Sequence, residues 1–352
     1  MSRFRESEFV EVASGLQYPE GPVWLPDGSL AAVDVMAGTL LRFEPDPANS
    51  ATFVAAPSIQ LGGSPNGAAL GPDGYLYICN SGGFTFTTLG PPLLPFTLNI
   101  PVAESADYQG GSIQRVSLTD SSFETWCATN SVAAAVTSCG SPTTPLPLDP
   151  RGLRGPDDLV FDATGGLWFT DWGKPVLFSR EITGVYYLPA GSRNPILKIP
   201  SRESPNGIAL SPDGSRLYVA ETNPRWIHYW KLDGPGSIQC NPMALDGAWL
   251  CGGLPEGGQP DSMAVDSEGN LYVATMITKG LDPTSTGGIT VFSPDGEILD
   301  YIELMVGNPE PLPSNICFGG PDRRTAFITL GGTGRIVSCR MRVPGLKHAF
   351  AG

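Results

Sequence analysis

Histidine is nearly missing: the 352 residues contain only His228 and His348. With so little imidazole, a His-based zinc centre and a Ser-His-Asp triad both lack their parts. Basic residues are scarce too. There are 21 Lys and Arg against 35 Asp and Glu, and the formal charge of −14 removes the basic face that nucleic-acid binding requires. No run reaches the roughly 18 apolar residues of a membrane span, and the charged start, MSRFRESEFVEVAS, lacks the apolar core of a signal peptide. The reading is a cytoplasmic protein with no nucleic-acid or membrane partner, its oligomeric state left open. The seven cysteines include no CxxC pair, so neither a complete disulfide framework nor a zinc cluster is indicated. Pairing of Cys127 with Cys139, or of Cys240 with Cys251, would need an oxidising compartment; scattered reduced thiols are the default.

Glycine and proline, by contrast, are plentiful. The chain has 44 Gly and 35 Pro, is 41% hydrophobic and only 16% charged, a balance that suits short strands and tight turns better than long helices. An all-β fold is expected. One stretch, YPEGPVWLPDGSLAAVD, has relatives at SPNGAALGPDGYLYICN, GPDDLVFDATGGLWFTD, SPNGIALSPDGSRLYVAE, QPDSMAVDSEGNLYVAT and PSNICFGGPDRRTAFIT. Aligned on the third residue, the copies are headed by Glu20, Asn66, Asp157, Asn206, Asp261 and Asn315. Eight residues after each head comes the glycine of a turn, Gly28, Gly74, Gly165, Gly214 or Gly269, with Arg323 in the degenerate last copy. Each unit is a hairpin.

The heads are separated by 46, 91, 49, 55 and 54 residues, and a four-stranded blade needs about 40 to 50. Six units therefore predict one six-bladed β-propeller over residues 1–352, with four-stranded blades and a long insertion in blade two. EFVEVA near the start and RIVSCRM near the end are expected to share a composite closing blade. Rotational symmetry then brings all six heads to one height at the channel axis. Their side chains are all oxygen donors. Three carboxylates so close would raise one another's pKa unless a cation neutralised them, and hard oxygens of mixed charge suit Ca2+, with Mg2+ or Mn2+ also open. Glu20, Asp157, Asn206 and Asp261 are the expected metal ligands. Asn66 is assigned to substrate contact, and His228, in the alternating RWIHYWKLD, is read as structural.

The motifs YPEGPVW, SPNGIALSPDG and QPDSMAVDSEGNLYVAT, in this order and spacing, resemble the regucalcin and gluconolactonase family of the senescence-marker-protein type, over about residues 8–343. That resemblance implies a divalent ion at the channel mouth, usually calcium though Zn2+ also stays open, and hydrolysis of a small-molecule lactone. It also implies that Asp261 is the catalytic base, a role open to a carboxylate beside the ion at short range; Asp157 is the fallback. Asp158, one residue on, is expected to face the other way. The arginine that binds sugar lactones in some relatives has no secure counterpart here.

Two insertions, about 81–110 and 128–155, are expected to overhang the metal side without secondary structure of their own. The first carries Phe84, Phe86, Leu93, Leu94 and Phe96, which points to a less polar substrate than a sugar lactone. Asn80 and Asp171, at the ends of second strands, are assigned with Asn66, Phe84 and Phe86 to substrate binding. The competing readings are a calcium-dependent phosphotriesterase of the same fold and a non-enzymatic ligand-binding propeller.

Overall fold

Alternate residues of a single strand feed different parts of the core. In Leu76–Asn80, Leu76 and Ile78 enter one apolar cluster while Tyr77 and Cys79 enter the next, as the two-residue period of a strand dictates. Such a strand is buried on both faces, so it must belong to a sheet stacked between two others. The computed structural model, which describes residues 2–91, 97–128, 152–176, 179–255, 257–277, 286–347 and 349–350, has that arrangement throughout. Among these residues there is no helix.

Blade one is built from Pro19–Trp24, Leu30–Asp34, Thr39–Asp46 and Asn49–Ala55, and blade two from Pro65–Leu70, Leu76–Asn80, Ser112–Val116 and Phe123–Ala128. Blade three contains Pro156–Phe161, Leu167–Asp171, Ile182–Leu188 and Ile196–Glu203. Blade four begins Pro205–Leu210, Arg216–Glu221 and Trp226–Gly234, with Ser237–Gln239 and Trp249–Gly253 both pairing to the third strand. Blade five is Gly258–Val265, Leu271–Ile277, Gly288–Phe292 and Ile298–Glu303. In blade six, Pro313–Gly319, Thr325–Leu330 and Arg335–Arg340 are joined by Val10–Ala13 from the other end of the chain, with Val10 opposite Ser338. The fold is a six-bladed β-propeller.

Each innermost strand packs on that of the next blade, and Pro313–Gly319 against Pro19–Trp24 closes the ring. A hydrophobic cluster fills every junction between neighbouring blades. Trp168 and Trp230, both fully buried, dominate the junction of blades three and four. Turn chemistry follows the repeat: Asp27, Asp213 and Asp266 accept backbone N–H groups two residues on, from Ser29, Ser215 and Glu268.

The first insertion does have secondary structure of its own. Phe84–Leu89 pairs with Leu98–Glu104 as an antiparallel hairpin, which the alternation of Phe and β-branched Thr in FTFTTL favours. Leu93, Leu94 and Phe96 lie outside the described residues, as does nearly all of the second insertion. Cys127 and Cys251 are free thiols, so neither Cys127–Cys139 nor Cys240–Cys251 forms, the outcome set as the default. His228 is structural in its contacts: it is buried, its Nδ1 lies 2.6 Å from Glu221 Oε2, and Arg202 Nε donates to Glu221 Oε1 at 2.9 Å.

The inner ring is tight enough to constrain sequence. Gly21 has φ +48°, and a Cβ there would lie 2.4 Å from the Asn66 carbonyl oxygen. At Gly207 it would lie 2.6 Å from the carbonyl oxygen of Asp261. Backbone on both sides leaves nothing flexible to yield. Gly21→Ala is therefore expected to destabilise the protein by about 3 kcal/mol, read as a lower midpoint in chemical unfolding with unchanged slope; an unaltered midpoint would show that the ring can relax.

Candidate metal centre and active-site cavity

Every innermost strand loses its pairing register beside its head residue. The slips fall between Glu20 and Val23, Pro65 and Ala68, Pro156 and Leu159, Pro205 and Ile208, Pro260 and Met263, and Pro313 and Asn315. A bulge of this kind re-aims a side chain at the rim of a closed sheet, and its repetition turns five heads toward one place. Glu20, Asn66, Asp157, Asn206 and Asp261 line a single cavity of about 170 Å3 at one end of the channel. Asn315 stands behind them: its Nδ2 donates to Glu20 Oε2 at 2.8 Å, while its Oδ1 accepts from the Ile316 N–H at 2.7 Å.

Amides buttress the acids. Asn66 Nδ2 donates to Asp157 Oδ2 at 2.9 Å, the Gly21 N–H donates to Glu20 Oε2 at 2.6 Å, and Asn206 is hydrogen-bonded to Asp261. With their nitrogens directed at carboxylates, Asn66 and Asn206 each keep a buried Oδ1 that no hydrogen bond satisfies. Orphaned buried oxygens are costly. Here two of them stand in a cavity that also holds three acids.

Burial and mutual repulsion govern the acids themselves. Burial pushes Glu20 well above the ordinary carboxylate range, with the Asp261 charge adding to it, and Asp157 is raised by burial and then by Asp261 and Glu20. Asp261 is pushed up to about 8, chiefly by burial. No Lys, Arg or His among the described residues lines the cavity to offset them. The donor set fits a hard divalent cation: carboxylates alternate with unsatisfied amide oxygens, and no His or Cys stands in the described lining. Among the described residues no three His, Cys, Asp or Glu side chains group closely enough to chelate a metal alone. The amides would have to complete the shell.

Two expected substrate contacts have other duties. Asn80 Oδ1 accepts from the N–H groups of Ser64 and Gly82 at 3.1 and 2.9 Å, and its Nδ2 donates to Gly62 O and Gln114 Oε1 at 2.9 and 3.0 Å. Asp171 accepts from Arg154 and Gly155 N–H, both at 2.7 Å, and from Gly173 N–H at 3.0 Å. Like Asp34, which accepts from Gln17 and Tyr18 N–H, they bolt the incoming loop to the blade. Neither lines the cavity. In four places the neighbour does: Val35, Trp172 and Thr222 directly follow the strand ends Asp34, Asp171 and Glu221, Met276 holds the same repeat position within Leu271–Ile277, and all four line the cavity, because one step along an extended chain reverses the side chain. Sequence reasoning missed these four, and also Tyr18 and Gln259, each two residues before a head; the signal was the same repeat read one register off. Phe84 and Phe86 do line the cavity, with Ile100 and Pro101 from the partner strand of the hairpin. Asp158 lines the cavity at the opposite end of the channel, as its place on the strand required, and accepts from the Leu159 N–H at 2.9 Å.

Comparison with known proteins bears directly on this arrangement. The SMP-30/Gluconolactonase/LRE-like region family matches residues 18–332. The chain belongs to that family. A gluconolactonase of Zymomonas mobilis subsp. mobilis is 27% identical over 338 residues, 90% of this chain and 77% of that one. The lactonase drp35 of Staphylococcus aureus is 32% identical over 183 residues, covering 52% of this chain and 49% of the relative. Among solved structures, a gluconolactonase from Xanthomonas campestris superimposes with a TM-score of 0.63 at 19% identity, covering 96% of this chain and 94% of that one. The calcium-binding protein regucalcin from Agrobacterium tumefaciens does so with a TM-score of 0.62 at 16% identity, covering 95% and 93%. At these identities the two structures bear on the fold. No helix among the described residues is long and apolar enough to cross a membrane.

The raised acids carry a stability signature. Carboxyls with folded pKa above their unfolded value bind more protons in the native state, so stability falls as pH rises from about 4 toward the folded pKa, about 8 for Asp261. Chelator-treated protein should lose melting temperature across that window, and millimolar Ca2+ should raise it more at pH 8 than at pH 5. A calcium shift equal at both pH values would contradict the reading.

Proposed function

We propose that the protein is a divalent-cation-dependent lactonase, a hydrolase that opens a cyclic ester at the cavity built by Glu20, Asp157, Asn206 and Asp261. One observation carries the reading: three buried carboxylates and two unsatisfied amide oxygens meet in a cavity with no cationic side chain among its described lining. The gluconolactonase and lactonase relatives support the choice of cyclic ester as substrate. Ca2+ is the cation that the all-oxygen set favours.

Glu20, Asp157, Asn206 and Asp261 would hold the ion, which when bound supplies a Lewis acid toward the ester carbonyl. Glu20 is the fixed anchor, since Asn315 and the Gly21 N–H pin the same oxygen. Asn206 contributes a neutral oxygen, keeping its nitrogen on Asp261. Asp261 takes the proton from the attacking water: it lines the cavity with Glu20 and Asp157, and no arginine or lysine in the described lining pairs with it. Asp157 is held by Asn66 and serves as the second acid of the pair. Asn66, with its free Oδ1 on the cavity, orients the water or the substrate.

Asp261→Ala and Glu20→Ala should each lower kcat/KM for lactones by roughly a thousandfold or more, measured as acid release in a pH-stat. Full activity in either variant would remove the mechanism. Treatment with EDTA should abolish turnover and added Ca2+ restore it, whereas turnover that is indifferent to chelation would refute the metal dependence.

A further inference from the structure

Four aromatic rings form an arc around the cavity. Tyr18 and Phe86 have ring centroids 5.8 Å apart, Phe86 and Phe84 6.4 Å, and Phe84 and Trp172 5.9 Å. All four line the cavity that holds the acids. Phe84 and Phe86 face it together because they are two residues apart on one strand. Ile100 and Pro101 extend the same wall from the paired strand.

The wall is built in place. Lys174, itself buried, donates from Nζ to Ser81 O at 2.6 Å and Gly83 O at 2.9 Å at the root of the hairpin, and lies 3.8 Å from the Phe84 ring centroid. Phe84 N–H donates to Ser64 Oγ at 3.0 Å, and Asn99 Nδ2 reaches across to Gln17 O on blade one at 2.9 Å. These bonds tie the hairpin to both neighbouring blades, so the aromatic face is presented before any ligand arrives.

What the wall lacks is hydrogen-bonding capacity. Beyond the oxygen cage, the described lining residues offer only the Thr222 and Tyr18 hydroxyls, the Gln259 amide and the Trp172 indole N–H. A sugar lactone brings several hydroxyls, and each one buried without a partner costs on the order of tenfold or more in affinity. An alkyl or aryl substituent brings none and gains from covering aromatic surface.

We propose that the preferred substrates are lactones bearing an alkyl or aryl substituent rather than polyhydroxylated sugar lactones, with Phe84, Phe86 and Trp172 seating the substituent while the ester lies over the acids. This assignment rests on the lactonase reading and specifies its substrate class. Phe84 and Phe86 are specificity-determining residues, since they face the part of the substrate that does not react.

Three lactones with the same six-membered ring test it on the Ca2+-loaded protein: δ-valerolactone, its pentyl-substituted relative δ-decalactone, and glucono-1,5-lactone. Each added methylene should raise kcat/KM by roughly fourfold until the wall is covered, placing δ-decalactone at least tenfold above δ-valerolactone and further above glucono-1,5-lactone. Phe86→Ala and Phe84→Ala should lower kcat/KM for δ-decalactone ten- to a hundredfold and for δ-valerolactone no more than about threefold. Circular dichroism confirms that the variants are folded, and binding of the pentyl-substituted lactam should weaken in parallel. Turnover of glucono-1,5-lactone at or above that of δ-decalactone, or variants that slow all three lactones equally, would overturn the substrate class and leave lactone hydrolysis standing. No turnover of any of the three would overturn both.

Discussion

Everything at the axis of this propeller follows from the need to neutralise buried negative charge. Glu20, Asp157 and Asp261 are each almost wholly removed from water. Their like charges repel in a medium of low dielectric, and desolvation of each ion adds to that. The chain supplies only partial relief, through amide and backbone donors on the acids. It places no basic side chain at the described cavity lining, although buried arginines are used elsewhere, as where Arg202 pairs with Glu221. In the chain alone, burial and repulsion favour the protonated forms of these acids. The proposed cation replaces the protons.

The fold makes this arrangement cheap to build. Six nearly equivalent inner strands present the same backbone position to one axis, and a bulge beside each turns the side chain inward. Glycines after several heads let neighbouring backbones approach closely. Hydrophobic clusters at the blade junctions and the N-terminal strand in the last blade hold the ring against the repulsion at its centre. On the proposed reading the heads set the chemistry and what stands over them sets the selectivity, here a hairpin anchored to two blades.

Much of this was legible in the sequence because rotational symmetry writes itself as a repeat. The six heads, the turn glycines and the closing strand could be placed before any coordinates, since each is a position within a unit rather than an isolated residue. Faces were harder. Asn80 and Asp171 looked like site residues because they end the inner hairpins, yet a single step along the strand separates the loop-bolting face from the cavity face, and Trp172 and Thr222 took the inward places. The Phe84–Leu89 hairpin was read as a long loop because it belongs to no repeat, so only its own Phe and Thr alternation announced it. The orphaned oxygens of Asn66 and Asn206 could not be read at all. Which end of an amide is spent and which is spare depends on contacts between blades distant in the chain.

The most direct test of the central claim is calorimetric titration of chelator-treated protein with Ca2+ near pH 7, repeated in buffers of different ionisation enthalpy so that proton release is counted. The account predicts one ion bound per chain, displacing about one proton or more, with the binding heat lost in Glu20→Ala. Absence of binding, or binding that releases no proton and survives loss of Glu20, would contradict it.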